Sequence, residues 1–209
     1  MSLPVFHRPE LAGLAVGDPV ELGGDEARHA VVVRRIRVGE QVALSDGAGT
    51  TVVVDVAATG KTTLSGTVTE VHRHPAETPR LVVVQAIPKG DRGELAVEML
   101  TEVGVDVVVP WAASRSVAVW RGERAAKSLA KWRSTAREAA KQSRRAWFPE
   151  VAAMATTPEV VALLRDAALA AVLHVGGSEP LAALDVPDHG DVVVVVGPEG
   201  GISDEELAA

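Results

Sequence analysis

The 209-residue chain contains no cysteine, so it can form neither disulfides nor thiolate-zinc centres. That absence fits a reducing compartment, and the cytoplasm is the expected location. No apolar run reaches membrane-spanning length, and the amino terminus lacks the charged-then-apolar pattern of a secretion signal. No membrane partner is expected. The histidines show no HExxH spacing and no metal is implied; His72 and His74 read as a solvated pair. A GxxxxGK[ST] phosphate loop is missing, no GxGxxG follows the first strand of the alternating region, and no GxSxG stands out. These gaps speak against a nucleotide-dependent switch, a dinucleotide enzyme and a serine hydrolase. Internal repeats and low-complexity segments are also lacking.

What is present is an uneven charge. The net charge of −7 argues against a nucleic-acid partner until it is mapped along the chain. Residues 115–145 hold ten Lys/Arg against two acids, a net of +8, whereas residues 146–209 carry one Arg and eleven acids. A basic segment inside an acidic protein creates a local field that can select a polyanion. Within it, Arg133, Arg137, Lys141 and Arg144 recur at i, i+4, i+8 and i+11 and stack into one helical stripe. Ala125, Leu129, Trp132, Ala136, Ala139 and Ala140 form the apolar side. Such a stripe matches phosphates along a nucleic-acid backbone; a merely solvated charged face is the other reading. Trp111, Trp120, Trp132 and Trp147 all fall in this central stretch, as packing residues or stacking platforms.

The first 75 residues read as a small barrel-like β domain. Strands are expected at Gln41–Ser45, Thr50–Ala57 and Thr62–Val71, with one helix whose cap is Asp25 and whose body is Ala27–Arg35. His74–Pro79 holds two prolines and reads as a linker. Beyond it strand and helix alternate. Strands are expected at Leu81–Ile87, Val105–Val109, Val151–Met154, Leu169–Val175 and Val192–Val196. Helices are expected at Arg92–Val103, Gly122–Ser143 and Pro158–Asp166, the last capped by Thr157, with a further helix opening at Ser203. This pattern predicts an α/β fold with a parallel sheet covered on both faces.

The run Val192–Val196 empties into Gly197-Pro198-Glu199-Gly200-Gly201, at the strand end where open α/β sheets bind ligands. His174-Val175-Gly176-Gly177 closes the preceding strand, so two glycine-bearing loops share one edge. An ordinary strand-to-helix turn remains the alternative for the first loop, and a structural histidine for His174. Lys89-Gly90-Asp91-Arg92 opens a helix and could hold an anion there.

Taken in order, these residues resemble the RsmE-type ribosomal RNA methyltransferases of the SPOUT superfamily. Phe6, Arg8, His29, Arg35, Gly39, Asp46 and Gly49 resemble that family's PUA-like RNA-binding domain. Lys89–Arg92 with Glu102–Val105, Arg115-Ser116, Trp132, Glu138–Arg145 with Pro149, and Gly197–Gly201 resemble its further motifs. The resemblance implies a PUA-like β-barrel over residues 1–75 and a SPOUT domain over 80–209, ending in a trefoil knot. It also implies S-adenosylmethionine as methyl donor, N3 of one uridine in small-subunit (16S) ribosomal RNA as acceptor, and a homodimer. The substrate is expected to be the assembled or nearly assembled subunit. Two departures accompany it: Lys141 replaces an acid and Lys131 an arginine, and the segment that threads the knot is absent beyond Ala209, so cofactor binding is expected to be weak.

Cofactor contacts are expected from His174, Val175, Gly176 and Gly197 through Gly201, Pro198 and Glu199 included. RNA contacts are expected from Arg8, His29, Arg35, Lys89, Arg92, Arg133, Arg137, Lys141, Arg144 and Arg145. Glu199 and Glu102 are candidate bases for the uracil N3 proton, and Arg115 or Arg145 a candidate stabiliser of the uracil anion. A non-catalytic RNA-binding protein, with the α/β part as a dimerisation scaffold, is the competing reading.

Overall fold

Two β-sheets, each of five strands, organise the residues that this computed structural model describes, 3–177 and 179–209. They belong to separate compact units: Met1–Ala76 with Ala140–Phe148, and Glu77–Ala139 with Pro149–Ala209.

In the first unit the strands are β1 (Val5–His7), β2 (Pro19–Gly23), β3 (Gln41–Ser45), β4 (Thr50–Thr59) and β5 (Thr63–Arg73), in the order β1-β3-β4-β5-β2. All pairings are antiparallel except β1 with β3. Alternate residues of β4 (Thr50, Val52, Val54 and Val56) are buried, the period-two signature of a sheet with one face on a core. Phe6, Leu11, Leu44 and Leu64 fill that core; each fully buried side chain of this kind contributes about 1.5–3 kcal/mol. The sequence reading missed β1 and β2, which are short and carry Pro19 and Glu21 among their few residues. The expected helix also changes character. Helix α1 covers only Gly24–Arg28 and continues as a single π-helical turn, His29–Val33. Three consecutive valines disfavour the regular α geometry through their restricted χ1. Asp25 sits inside the first turn; Gly23 holds the cap position without a side-chain bond.

The segment Ala140–Phe148 folds onto this unit. Trp147 Nε1 donates to the His74 carbonyl at 2.9 Å, and the indole covers Gly49, where a Cβ would lie 2.6 Å from it. The backbone N–H of Phe148 donates to Gly47 O at 2.9 Å. Lys141 Nζ meets Glu26 Oε1 at 2.7 Å while Glu26 Oε2 accepts from the His7 amide at 3.1 Å. The Lys141 side chain is only 2% exposed.

The second unit has a fully parallel sheet in the order β8-β7-β6-β10-β9. Its strands are β6 (Arg80–Ala86), β7 (Val107–Trp111), β8 (Glu150–Val151), β9 (Leu169–Leu173) and β10 (Asp191–Val196). Helices α2 (Arg92–Glu102), α3 (Gly122–Gln142), α4 (Thr157–Asp166) and α5 (Asp204–Ala208) connect or follow them. One face buries Val82, Val84, Val109, Val193 and Val195 with Val160 and Ile202; the other buries Val83 and Val108 against Val97, Trp120, Trp132 and Ala136. Burial on both faces explains why β6, β7 and β10 read as unbroken apolar runs. Several boundaries differ from expectation: β7 runs Val107–Trp111 rather than Val105–Val109, and β8 covers only Glu150–Val151 rather than Val151–Met154. The α4 cap is Thr156, whose hydroxyl and amide both donate to Glu159, rather than Thr157. Strand β9 stops at Leu173, and Val175 is fully exposed.

Lys141→Ala is expected to lower stability by about 2 kcal/mol, because it strands a partly buried carboxylate. Urea denaturation checks this, and a loss below about 0.5 kcal/mol, the range of ordinary surface substitutions, would refute the buried pairing.

Candidate active site

Because all strands of the second sheet run the same way, the loops after β6, β7, β9 and β10 emerge on one edge. Chain order reverses beside β6: β7 lies on one side and β10, formed last, on the other. This is a switch point, where α/β sheets open a ligand crevice. At its lip Gly201 N donates to Pro198 O at 2.8 Å, and Gly201 has φ +76°, a left-handed value that favours glycine. Gly197 packs so closely that a Cβ would lie 2.7 Å from Ile202 Cγ1.

Glu199 ties the β10 loop to the β6 loop. Its Oε1 accepts from the Lys89 amide and from Arg92 Nη1, both at 3.1 Å. Its own backbone N–H, then that of Lys89, hold its carboxyl below the ordinary glutamate value of 4.5. A carboxylate stabilised in its charged form is a poorer proton acceptor than a free one. Glu199 therefore acts as a brace, and its expected role as a base finds no support in these surroundings. Glu102 lies exposed at the opposite end of α2, about 15 Å along the axis from Arg92 at 1.5 Å per residue. The fold does not bring these two carboxylates together.

Arg115 does reach the turn. Its Nη1 donates to Ile202 O at 3.4 Å, and its backbone leaves no more than 3.2 Å to a Cβ placed on Gly200. The β7 loop is stapled further by Glu206, which accepts from the Ser114 amide at 2.7 Å, the Ser114 hydroxyl at 2.9 Å and the Ser203 amide at 3.1 Å. Burial opposes the charge on Glu206, yet these donors outweigh it and the carboxyl titrates low. The sequence reading missed Ser114, Ser203 and Glu206; the Ser-x-x-Glu capping box at 203–206 was the available signal.

The β9 loop lies open. His174 Nδ1 accepts from the Gly176 amide at 3.1 Å and Gly177 N donates to His174 O at 3.0 Å. The ring thereby shapes its own turn, leaving Nε2 to carry the proton of the neutral form. Gly176 and Gly177 stay exposed beside Leu173 and Val175, an apolar rim next to polar backbone.

The expected RNA contacts divide by environment. Arg8 Nε donates to Glu21 O at 2.8 Å and its Nη1 to Pro9 O and Glu10 O, so it braces β1 and β2. His29 stacks edge-on against buried Phe6, at 5.8 Å between ring centres. Arg35 is exposed with φ 57°. Arg133 Nε donates to Val151 O at 3.0 Å, while Arg137 faces solvent. Lys141 is not on an open face at all: it is buried against Glu26 because the last turn of α3 packs inside the first unit. The helical stripe is thus interrupted. Arg144 is exposed, with left-handed backbone at φ 56°, and Arg145 is half-buried. Lys89 and Arg92 stand at the Glu199 brace. Among the described residues no helix is long and apolar enough to cross a membrane, and no group of His, Asp or Glu converges for a metal.

Comparison with known proteins adds an independent line. Residues 76–209 match an RNA methyltransferase domain family, and residues 22–69 match the RNA methyltransferase PUA domain. The ribosomal RNA small subunit methyltransferases E of Mycobacterium bovis and Mycobacterium tuberculosis are each 42% identical over 205 residues, covering 96% of this chain and 76% of the relative. That of Bacillus subtilis is 27% identical over 192 residues, 88% of this chain and 75% of its own. A Neisseria gonorrhoeae ribosomal RNA small subunit methyltransferase E, solved bound to S-adenosylmethionine, superposes with a TM-score of 0.84 at 28% identity, over 99% of this chain and 84% of that one. A Legionella pneumophila structure, also with S-adenosylmethionine, superposes with a TM-score of 0.87 at 26% identity, over 100% and 85%.

The two braces predict a pH response. Glu199 and Glu206 have folded-state pKa values below 4.5. Their contribution is therefore complete above that value and is lost as pH falls through the depressed folded values. Hydrogen-exchange protection of the Lys89, Ser114 and Ser203 amides should hold from pH 7 to about pH 5 and collapse only below it. Collapse between pH 5 and 7 would contradict the bracing role.

Proposed function

The chain belongs to the ribosomal RNA small subunit methyltransferase E family, and from that membership we propose that it transfers a methyl group from S-adenosylmethionine to small-subunit ribosomal RNA. The acceptor in this reading is N3 of one uridine, as the family resemblance implies. The observation that carries the proposal is the convergence of the β6, β7 and β10 loops on the Pro198–Gly201 turn, beside the open His174–Gly177 loop.

The donor set fits the cofactor. Two glycine-bearing loops on adjacent strands offer peptide groups for polar atoms, and the Leu173–Val175 rim offers a flat apolar contact for an adenine ring. When bound, S-adenosylmethionine supplies an already activated methyl group on a sulfonium. The chain then has to hold the acceptor nitrogen in line and keep it there. Uracil N3 must shed its proton, and Arg115, fixed at the turn by Ile202 O, is the cation placed to stabilise the resulting ring anion. With Glu199 committed to Lys89 and Arg92, the proton passes to water. The N3 edge is the pairing edge, so the target nucleotide must be unpaired or flipped out.

The first unit serves as a PUA-like RNA-binding domain and the second as a SPOUT catalytic domain, of the class whose trefoil knot the family resemblance implies. The protein acts as a cytoplasmic homodimer on the assembled or nearly assembled subunit. Arg35, Arg137 and Arg144 supply exposed phosphate contacts, which set register more than sequence choice.

Calorimetry with S-adenosylmethionine, paired with transfer of labelled methyl to small-subunit RNA, tests the reading. Gly197→Val drives a branched side chain into Ile202 and is expected to cut transfer about a hundredfold. Arg115→Ala should keep cofactor binding while transfer falls about a hundredfold. A silent titration, with RNA still bound, would favour a non-catalytic RNA-binding protein.

A further inference from the structure

Of the four indoles, one stays at the surface. Trp111, Trp120 and Trp132 are 2, 8 and 2% exposed and pack in the two cores of the second unit. Trp147 is 37% exposed and belongs to the first unit, outside its core cluster. On the order of 100 Å² of so large a side chain therefore lies open to solvent. The proposed chemistry makes no use of it.

The ring is open yet fixed. Nε1 donates to His74 O at 2.9 Å, so its single polar atom is already satisfied. The Trp147 backbone bridges Ala48, flanked by bonds from Gly49 N to Ala146 O at 3.0 Å and from Phe148 N to Gly47 O at 2.9 Å. Gly49 lies against the Nε1 side of the indole, where a Cβ would come within 2.6 Å of Cζ2 and 2.7 Å of Cε2. No other ring of the described residues stacks on it. The imidazoles of His74 and His72 are exposed and 6.5 Å apart. The Thr51 hydroxyl lies 3.4 Å from His74 Nε2, and His72 Nε2 meets Glu70 Oε2 at 2.9 Å. We propose that Trp147 is a stacking platform for one unpaired base of the substrate RNA, with purines preferred.

Several features select that ligand. With Nε1 committed, the indole offers a partner only its π surface, and every base has a flat face to lay on it. The bonds on either side of the ring hold it in place, so docking a base costs little side-chain entropy. Imidazoles and a hydroxyl beside the ring suit base edges and 2′-hydroxyls better than an apolar protein surface. Stacking grows with overlapped area, which favours the two-ring purines. Bases within a duplex keep their faces covered, so the platform reads single-stranded segments. This inference rests on the functional reading above and names a contact by which the first unit grips the RNA.

Tryptophan emission of the whole chain, titrated with single-stranded oligoadenylate of about ten nucleotides, tests it. Because the other three indoles are buried, quenching by contact reports Trp147. Oligoadenylate is expected to quench, oligouridylate to quench less, and a strand of equal length with abasic sugars to leave emission unchanged. Trp147→Phe should abolish the signal. Trp147→Leu should bind a dye-labelled oligoadenylate about tenfold more weakly, the scale of one stacked base, with its far-ultraviolet dichroism unchanged. Equal quenching by the abasic strand, no quenching, or undiminished binding by folded Trp147→Leu protein would overturn the assignment. Should that variant fail to fold, the abasic comparison on the native chain decides. Methyl transfer to small-subunit RNA, measured on the same preparation, separates the two claims. Transfer without base-dependent quenching removes only the platform, and base-dependent quenching without transfer removes only the catalytic reading.

Discussion

The parallel pairing of β10 with β6 carries the rest of the second unit. Residues 191–196 run in register with 80–85, and β9 then adds to the outer side of β10. This insertion places a loop formed late in the chain between loops formed earlier, and it creates the switch point where the glycine turn opens. The Arg80–Asp191 pair closes the opposite end with two bonds, at 2.9 and 2.6 Å. Both side chains are at least a third exposed, so solvent screening limits what that pair adds. The ladder of backbone bonds and the valines buried on both faces do most of the holding.

At the edge where the loops after β6, β7 and β10 meet, the acids act as fasteners. Glu199 joins the β6 and β10 loops, and Glu206 joins the β7 loop to the start of α5. Both are held in their charged forms by several donors, which suits permanent bracing and unsuits proton shuttling. A reaction with a pre-activated methyl donor needs alignment above all, and alignment is what three cross-linked loops provide. In the proposed reaction Arg115, held at the turn by Ile202 O, is the cation that bears on loss of the acceptor proton.

The basic residues behave similarly. Arg8, Arg133 and Lys141 spend donors on carbonyl or carboxylate groups of the protein itself, while Arg35 and Arg137 are exposed. Counting cations along a helix overstated the available field, because helical spacing describes one element and not what packs against its last turn.

The valine-rich strands, the alternation after residue 80 and the glycine turn were legible from sequence, because buried parallel strands and positive-φ turns impose local composition. The family resemblance was equally legible, in the order and spacing of short motifs. Strands β1 and β2, the π-helical turn and the end of β9 at Leu173 were not, being too short or too mixed for any periodicity to register. Tertiary structure alone decided that Glu199 is a brace, that Glu102 stands far from the turn and that Lys141 is buried against Glu26. Each of those outcomes depends on which distant segment arrives beside a side chain, and local sequence carries no record of that arrival.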